Sequence, residues 1–529
     1  MKNRRILLFL LLSLASAALL SIPYLVPHSG ALMLAGFVPL LFMDRIASGE
    51  GVRRFWIWHY LTFLLWNLFT TYWVCNATLG GGIFAAMANA LQMSLVFGLF
   101  RFAKKRLKGA LPYIFLAAAW IAWEKYYLGV AEISWPWLVL GNGFAGSIRS
   151  VQWYEWTGTL GGSLWVWAAN LGIFGILASL SSGSWQKLNL KARWAAVTAL
   201  TLVILLPAAV SAMIWNRYEE TDDPVRVLIA QPNIDPYHKF ESLTQSEQDE
   251  ILTGLIEGNA SPGLLVIAPE TFTSGVDADE ILETSATART LASLCGSYEG
   301  MNILFGATTY SKGVPPSHTS ENYRGINFER HNSAIILDGR GRTEIYHKSK
   351  LVPGVESTPY PAFFARVEKL LGGDLMGKDI GQDERSLLHF ISGEKSAAIG
   401  CAVCYESVYG DFCADYVRKG AGLLAVITND AWWGDTPGYR QHLRYATLRA
   451  IETRRDIARC GNTGISAIIN QRGEIVDSTP WWQKAVLSGT VNINTAETFF
   501  VRSGDVCGKL AVFVFFLLLL AVLFRKQRY

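Results

Sequence analysis

The sequence predicts a multi-pass α-helical membrane domain joined to a water-soluble α/β domain. Three observations carry that reading. The apolar residues crowd into the first 215 positions and the last 25 of the 529, and the middle reads as an ordinary soluble domain. Basic residues cluster at particular connections between the apolar runs. From about 224 to 495, short apolar runs alternate with polar stretches of helical character.

A spanning helix needs about 20 mostly apolar residues. Seven candidates precede the soluble block, at roughly 5–26, 29–48, 54–76, 81–102, 109–128, 160–182 and 193–215, and an eighth lies near 507–524. MKNRR precedes the first, DRIASGEGVRR follows the second, RFAKKRLKG the fourth and SWQKLNLKAR the sixth, while FRKQR ends the chain. The connections PHSG and NATLGGG carry no Lys or Arg, and the one after the fifth candidate has only Arg149. Because basic loops stay in the cytoplasm, every cluster falls on one side if both termini are cytoplasmic. The soluble block then lies on the opposite side, outside the cytoplasm. The opening KNRR-ILLFLLLSLASA also has the form of a cleavable signal peptide, with Ala15-Ser16-Ala17 as the cleavage site. Cleavage would remove one span and leave the block outside. The expected domains are 1–219 (membrane), 220–500 (soluble) and 505–529 (last helix and tail).

Charged residues make up 17% of the chain, against about 25% in soluble proteins. The net charge of +4, with no basic domain interleaved with aromatics, argues against nucleic acid. A transporter should show intramembrane charges or broken helices in repeated halves, and only Glu124-Lys125 near a helix end comes close.

Within the soluble block VRVLIAQ, GLLVIAP, NILFGAT, SAIILD, SAAIGCAV, GLLAVIT and ISAIIN read as strands buried on both faces. QSEQDEILTGLIEG and RQHLRYATLRAIETRRDIAR read as helices between them, and DGRG and NQRGE as turns. Helices covering sheets give an α/β or layered α+β domain. Phe363, Phe364, Val367, Leu370 and Leu371 form one stripe of a short helix. That helix either packs on the core or is an arm dipping into the lipid interface.

Five of the seven cysteines, Cys295, Cys401, Cys404, Cys413 and Cys460, lie in the block. Cys401 and Cys404 match C-x-x-C, but Cys401 sits inside an apolar run, and a zinc site lacks further ligands at suitable spacing. Redox pair, metal half-site, buried inert thiol and nucleophile all stay open. For the last, Cys404 lies where SAAIGCAV turns into the helical-looking ESVYGDFCADYVRKG, a strand-to-helix turn that exposes a nucleophile near helix-start N–H groups. His331, His347, His389 and His442 could serve as base, yet none sits at a strand end with an obvious orienting carboxylate. Glu270 ends GLLVIAPE, either capping the next segment or facing a cleft. Lys348 follows another strand, either solvated or part of a site. Taken together, Glu, Lys and Cys each stand at a strand's C-terminal end, where α/β sheets build sites.

A-P-E at 268–270, Y-H-K-x-x-L at 346–351 and C-Y-E at 404–406 resemble the nitrilase, or carbon–nitrogen hydrolase, superfamily. With eight spans, the chain is similar to its membrane-embedded apolipoprotein N-acyltransferase family over nearly its whole length. Q-x-N-I at 231–234, L-V-P followed by Glu356, N-D-A-W at 429–432, R-A-I-E-T-R-R-D-I-A-R-C-G-N-T-G-I-S at 449–466 and W-P-W-L-V-L-G at 135–141 add to the match.

The resemblance implies a nitrilase-like αββα sandwich with Glu270 as general base, Lys348 as oxyanion stabiliser and Cys404 as nucleophile. It implies that Glu356 steadies the lysine, that Glu406 is needed beside Tyr405, and that Asn332 and Trp432 line the substrate cleft. The lysine is expected to lower the Cys404 pKa. The chain departs from the family at L-V-P-G-V-E-S, where L-V-P-F-G-E-Y is common, and at Phe240, where tryptophan is frequent. Cys401 gains no role and reads as core. The implied reaction acylates the N-terminal S-diacylglyceryl cysteine of an apolipoprotein, taking the acyl chain from a phospholipid, phosphatidylethanolamine, through a cysteine thioester. No metal or organic cofactor is needed, and a monomer is expected. The rival reading is a membrane-bound amidase or nitrilase acting on a small C–N substrate. A second rival is a non-enzymatic receptor with a degenerate hydrolase domain, against which the full residue set argues.

Overall fold

The computed structural model describes every residue except 1, 237–238, 240–242, 372–375 and 525–529, and leaves the side chains of 2, 365, 367–369 and 371 undescribed. Phe240 and the terminal basic cluster therefore lie outside the described residues, as do the side chains of Val367 and Leu371. The chain divides into two compact units, residues 1–218 with 503–529, and residues 219–502.

The first unit is helical. Among the described residues, six helical segments are long and apolar enough to cross a membrane: Asn3–Leu25, Gly30–Gly49, Leu79–Lys104, Thr159–Ser181, Leu190–Arg217 and Val506–Phe524. The other two expected spans are helices that fall outside this set. Trp56–Thr71 has 16 residues, about 24 Å at the α-helical rise. Leu111–Gly129 carries Glu124, Lys125 and several Trp and Tyr residues, which lower its hydropathy. The segment at 30–49 opens as a 3₁₀ turn, Gly30–Ala35, before the helix Val38–Gly49. Glu124 is buried and holds the W-P-W-L-V-L-G loop in place, its Oε1 accepting from Leu140 N at 2.9 Å and Trp120 Nε1 at 3.1 Å. In that loop Trp135 and Trp137 stack with centroids 5.0 Å apart.

The second unit has fourteen strands among the described residues. They are β1 (Pro224–Gln231), β2 (Leu265–Ile267), β3 (Thr273–Asp277), β4 (Asn302–Lys312), β5 (Glu321–Tyr323), β6 (Ile326–Asp338) and β7 (Thr343–His347). There follow β8 (Leu388–Ser392), β9 (Lys395–Val403), β10 (Leu423–Thr428), β11 (Ile457–Gly461), β12 (Ala467–Ile469), β13 (Ile475–Ser478) and β14 (Ala485–Asn492). One sheet runs β14-β1-β2-β4-β6-β5, with β3 beside β4 and β7 beside β6, and the other runs β13-β12-β11-β10-β9-β8. Central strands are parallel: β1, β2 and β4 in one sheet, β9, β10 and β11 in the other. Their near-continuous apolar runs match burial on both faces.

The sheets face each other, Cys460 on β11 meeting the Ala230 carbonyl on β1 at 3.2 Å and Asn302 Nδ2 on β4 donating to Ile391 O on β8 at 2.7 Å. Helices Gln245–Glu257 and Ala286–Ser297 cover the first sheet, burying Leu252, Ile256, Leu291 and Leu294 against Val266, Ala268 and Ile303. Each such side chain contributes about 1.5–3 kcal/mol by leaving water. The first of these helices starts from a capping box in which Thr244 and Glu247 bond each other's backbone N–H. Helices Gly410–Arg418 and Pro437–Thr453 cover the second sheet. The order is helix, sheet, sheet, helix.

Two expectations are corrected and one open alternative is narrowed. The helix read through RQHLRYATLRAIETRRDIAR ends at Thr453, because Arg454 turns left-handed (φ 49°) and Ile457–Gly461 pairs with β10 as a parallel strand. ESVYGDFCADYVRKG is not one helix but a 3₁₀ turn, Cys404–Val408, followed by Gly410–Arg418. In the helix Pro361–Leu371, Phe363 is 63% and Leu370 86% exposed, so these two do not pack on the core.

Candidate active site

Strand geometry gathers the site residues. In one sheet β2 and β4 run parallel, and β7 points the same way because it is antiparallel to β6, which is antiparallel to β4. Glu270 therefore follows β2 and Lys348 follows β7 at the same sheet end. Ser333 pairs with His347, so the next residue, Lys348, donates its N–H to the Asn332 carbonyl at 2.7 Å. Cys404 follows β9 in the facing sheet.

Lys348 is fully buried and sits between two carboxylates, with Nζ 2.8 Å from Glu356 Oε1 and 3.2 Å from Glu270 Oε1. Asn332 Nδ2 donates to the same two oxygens, at 2.8 Å to Glu270 and 2.9 Å to Glu356. The remaining oxygens are also held. Glu270 Oε2 accepts from Asn429 N at 3.1 Å and Glu356 Oε2 from Val352 N at 2.7 Å. Glu270 is thus no helix cap and Lys348 no solvated lysine. Burial alone would discharge the ammonium, but Glu356, then Glu270 and Cys404, outweigh it and raise its pKa well above the ordinary value. The loop carrying Glu270 lies hard against β4. A Cβ on Gly306 would sit 2.5 Å from Thr271 N and 2.6 Å from Glu270 Cα, so only glycine admits this approach.

Cys404 has φ 52°, a left-handed conformation costly for a residue with a side chain. It opens a 3₁₀ turn at the end of β9, and among the unit's five cysteines it alone is only partly buried. Burial, then the charge of Glu270, pushes its thiol pKa up, with Lys348 pulling the other way. Lys348 does lower this pKa, as expected, but burial and the carboxylate outweigh it and the net shift is upward. Cys401 is fully buried in β9, and all seven cysteines are free thiols.

Glu406 is fully buried and ties the Cys404 turn to the lysine's loop. Its Oε1 accepts from Tyr346 OH at 2.7 Å, Ser349 N at 2.6 Å and Lys350 N at 3.0 Å, and its Oε2 from Val403 N at 2.8 Å. Burial raises its pKa to about 7 against these bonds. Tyr405 is buried with its ring edge-on to Tyr409, 5.2 Å between centroids. Trp432 lies three residues beyond Asn429, on the 3₁₀ turn Asp430–Trp433, and is 39% exposed.

Several participants escaped sequence reasoning. Asn429 acts through its backbone, which no side-chain pattern announces. Lys239 is buried and donates to the Thr271 carbonyl beside Glu270, and burial lowers its pKa to about 8. His442 does have an orienting carboxylate, Asp430, its Nδ1 2.9 Å from Oδ1; the two are twelve residues apart and meet only in the fold. Q-x-N-I proves to be a clasp between the sheets. Asn233 N donates to Asn462 O at 3.0 Å, Ile234 N to Asn462 Oδ1 at 3.0 Å, and Ser466 Oγ to Gln231 Oε1 at 2.7 Å.

Residues 255–499 match the carbon-nitrogen hydrolase family, and residues 16–172 match the apolipoprotein N-acyltransferase N-terminal domain. Apolipoprotein N-acyltransferases resemble this chain nearly end to end. That of Chlorobaculum tepidum is 27% identical over 94% of this chain and 93% of its own. That of Geobacter metallireducens is 28% identical over 94% and 92%, and that of Thermotoga maritima 26% over 90% and 86%. Among solved structures, a Nesterenkonia AN1 amidase of the nitrilase superfamily (C145A mutant) covers 53% of this chain and 93% of its own at 15% identity, TM-score 0.36. Saccharomyces cerevisiae Nit3, of the same superfamily, covers 54% and 95% at 14% identity, TM-score 0.36.

Proposed function

Since the chain belongs to the apolipoprotein N-acyltransferase family, we propose that it acylates the N-terminal S-diacylglyceryl cysteine of apolipoproteins by a two-step exchange at Cys404. The donor is a membrane phospholipid, phosphatidylethanolamine. The chain works as a monomer in the bacterial inner membrane, both termini cytoplasmic, with residues 220–500 as the catalytic domain on the periplasmic side.

In the first step Glu270 takes the Cys404 thiol proton as sulfur attacks the acyl ester carbonyl. Lys348 and the Tyr405 N–H stabilise the oxyanion. The ester C–O bond breaks, Glu270 returns the proton to the leaving lysophospholipid oxygen, and a thioester remains. In the second step the acceptor's α-amine attacks that thioester, Glu270 takes the amine proton, the C–S bond breaks, and the proton returns to sulfur. The raised thiol pKa supports this order, since a proton must be removed during attack rather than beforehand. Glu356 serves as the lysine's counter-ion, Glu406 as the brace of the Cys404 turn, and Asn332 as the link between the two carboxylates. Trp432 lines the cleft. The observation that carries the reading is the Lys348 ammonium held between Glu270 and Glu356 at the strand ends.

The test is intact mass of the purified protein after incubation with phosphatidylethanolamine and no acceptor. A hydroxylamine-labile acyl adduct present in Cys401→Ser and absent as a thioester in Cys404→Ser is expected. No adduct in any form would sink the acyl-enzyme and favour hydrolysis of small amides.

A further inference from the structure

Packed against the Cys404 turn lies a buried polar cluster that the two-step exchange does not use. His442, in the helix Pro437–Thr453, is fully buried. Its Nε2 lies 3.0 Å from the Cys404 carbonyl oxygen and 2.9 Å from Ser407 Oγ, and Ser407 Oγ donates to that same carbonyl at 2.7 Å. On its other edge Nδ1 faces Asp430 Oδ1 at 2.9 Å. Asp430 also accepts from Thr428 Oγ1 at 2.8 Å and is paired with Arg459 through Oδ2. Trp433 closes over the imidazole, 5.5 Å between centroids at 74°. The histidine touches the nucleophile's carbonyl, and its place in this cluster is not that of a general base for the thiol.

That carbonyl belongs to the one peptide whose geometry the proposed chemistry needs. A trans peptide is planar, with its C=O and N–H pointing opposite ways, and there is no cis peptide among the described residues. Fixing the Cys404 oxygen on the His442 side therefore fixes the direction of the Tyr405 N–H on the other. It also holds Cys404 at φ 52°, a conformation that persists only when its surroundings impose it. With Nδ1–H donated to the Asp430 carboxylate, an Nε2–H facing the carbonyl makes the ring an imidazolium, and Asp430 supplies its counter-charge.

We propose that His442, oriented by Asp430 and assisted by Ser407, is a positioning residue that holds the Cys404–Tyr405 peptide, and thereby aims both the thiol and the Tyr405 N–H. This rests on Cys404 being the nucleophile. The test uses the full chain in detergent with phosphatidylethanolamine, comparing the parent with His442→Phe, His442→Gln and Ser407→Ala. Its readouts are the rate of thioester formation at saturating lipid, the half-saturating lipid concentration, and iodoacetamide alkylation of Cys404 as a check that the thiol is present and accessible. His442→Phe is expected to slow acylation about 10- to 100-fold, short of the ~100- to 1,000-fold typical of deleting an oxyanion donor. Half-saturation should move less than about twofold. Gln, which keeps a donor, should recover much of the rate, and Ser407→Ala should lose several-fold. Equal damage from Phe and Gln would overturn the proposal, because only bulk would then matter. Parent-like rates in His442→Phe would do the same. If His442→Phe does not fold, the other two variants decide, and a parent-like Ser407→Ala refutes the role. A parent that forms no adduct at Cys404 refutes the nucleophile assignment itself.

Discussion

Lys348 is held more closely by Glu356, at 2.8 Å, than by Glu270, at 3.2 Å. The nearer carboxylate neutralises the ammonium, which leaves the farther one able to change protonation during reaction. Glu270→Gln should therefore cost at least about 1,000-fold in acylation rate, within the range for removing a general base. Glu356→Gln should cost about 10- to 100-fold, because Lys348 would then lean on Glu270 and compromise it. Single-turnover acylation of both variants measures the difference; equal losses would mean the two carboxylates share one role.

Removing the lysine itself leaves a buried carboxylate, Glu270, facing a partly buried one, Glu356. Breaking a buried ion pair on one side costs about 3–5 kcal/mol. Lys348→Met is expected to lose stability of that order, with a clear fall in Tm in detergent. A variant as stable as the parent would show that the site relaxes to admit water.

Gly306 offers a test of the Glu270 loop that changes no polar group. The added methyl of Gly306→Ala would lie 2.5–2.6 Å from backbone atoms of 270 and 271, which cannot swing aside as a side chain can. The loop must shift, and placement errors near 1 Å are costly to catalysis. Acylation should fall more than about tenfold while Cys404 stays alkylatable.

Glu406 sets a pH dependence of stability. Its folded pKa, about 7, lies above its ordinary value of 4.5, so the native state binds the extra proton between those limits. The contribution is fully present below about pH 4.5 and is lost as pH rises through about 7. Urea unfolding of the parent against Glu406→Gln should show a difference that declines across this window and is flat above it. A constant difference would mean that the buried carboxyl titrates as it does in the unfolded chain.

The thiols separate by exposure. Cys404 is partly buried, whereas Cys295, Cys401, Cys413 and Cys460 are buried; burial raises the pKa of all five, so exposure is what separates them. Brief iodoacetamide treatment of the native protein should label Cys404 alone among these five in peptide mapping. Labelling of Cys401 at a similar rate would contradict its place inside β9.

The sequence made the strands legible because fully buried strands are continuous apolar runs, and it put Glu270, Lys348 and Cys404 just beyond strand ends, where the structure has them. It showed less where structure depends on partners distant in the chain. IARCG looked like the end of a helix, since its strand character comes from pairing with β10. Trp56–Thr71 ends short of the expected 54–76, because a helix end inside an apolar run leaves little local mark. The fit between Asp430 and His442, and the use of Asn429 through its N–H, have no local signature at all. The exposed Phe363 and Leu370 show the opposite limit, as a periodic apolar stripe records amphipathy without saying what it faces.

The antiparallel pairing of β1 with β14, from Pro224 opposite Asn492 to Gln231 opposite Ala485, bears on how the protein is made. The first strand of the sandwich is synthesised more than 250 residues ahead of its edge partner. Until that partner arrives, β1 presents an open ladder of N–H and C=O groups, and such edges recruit other chains. Closure over so long a loop is also slow. A nascent chain stopped near residue 480 should therefore be a client for holdase chaperones and a seed for aggregates, whereas one released after 492 should shed both tendencies at once. Biogenesis of this protein is gated by its last strand.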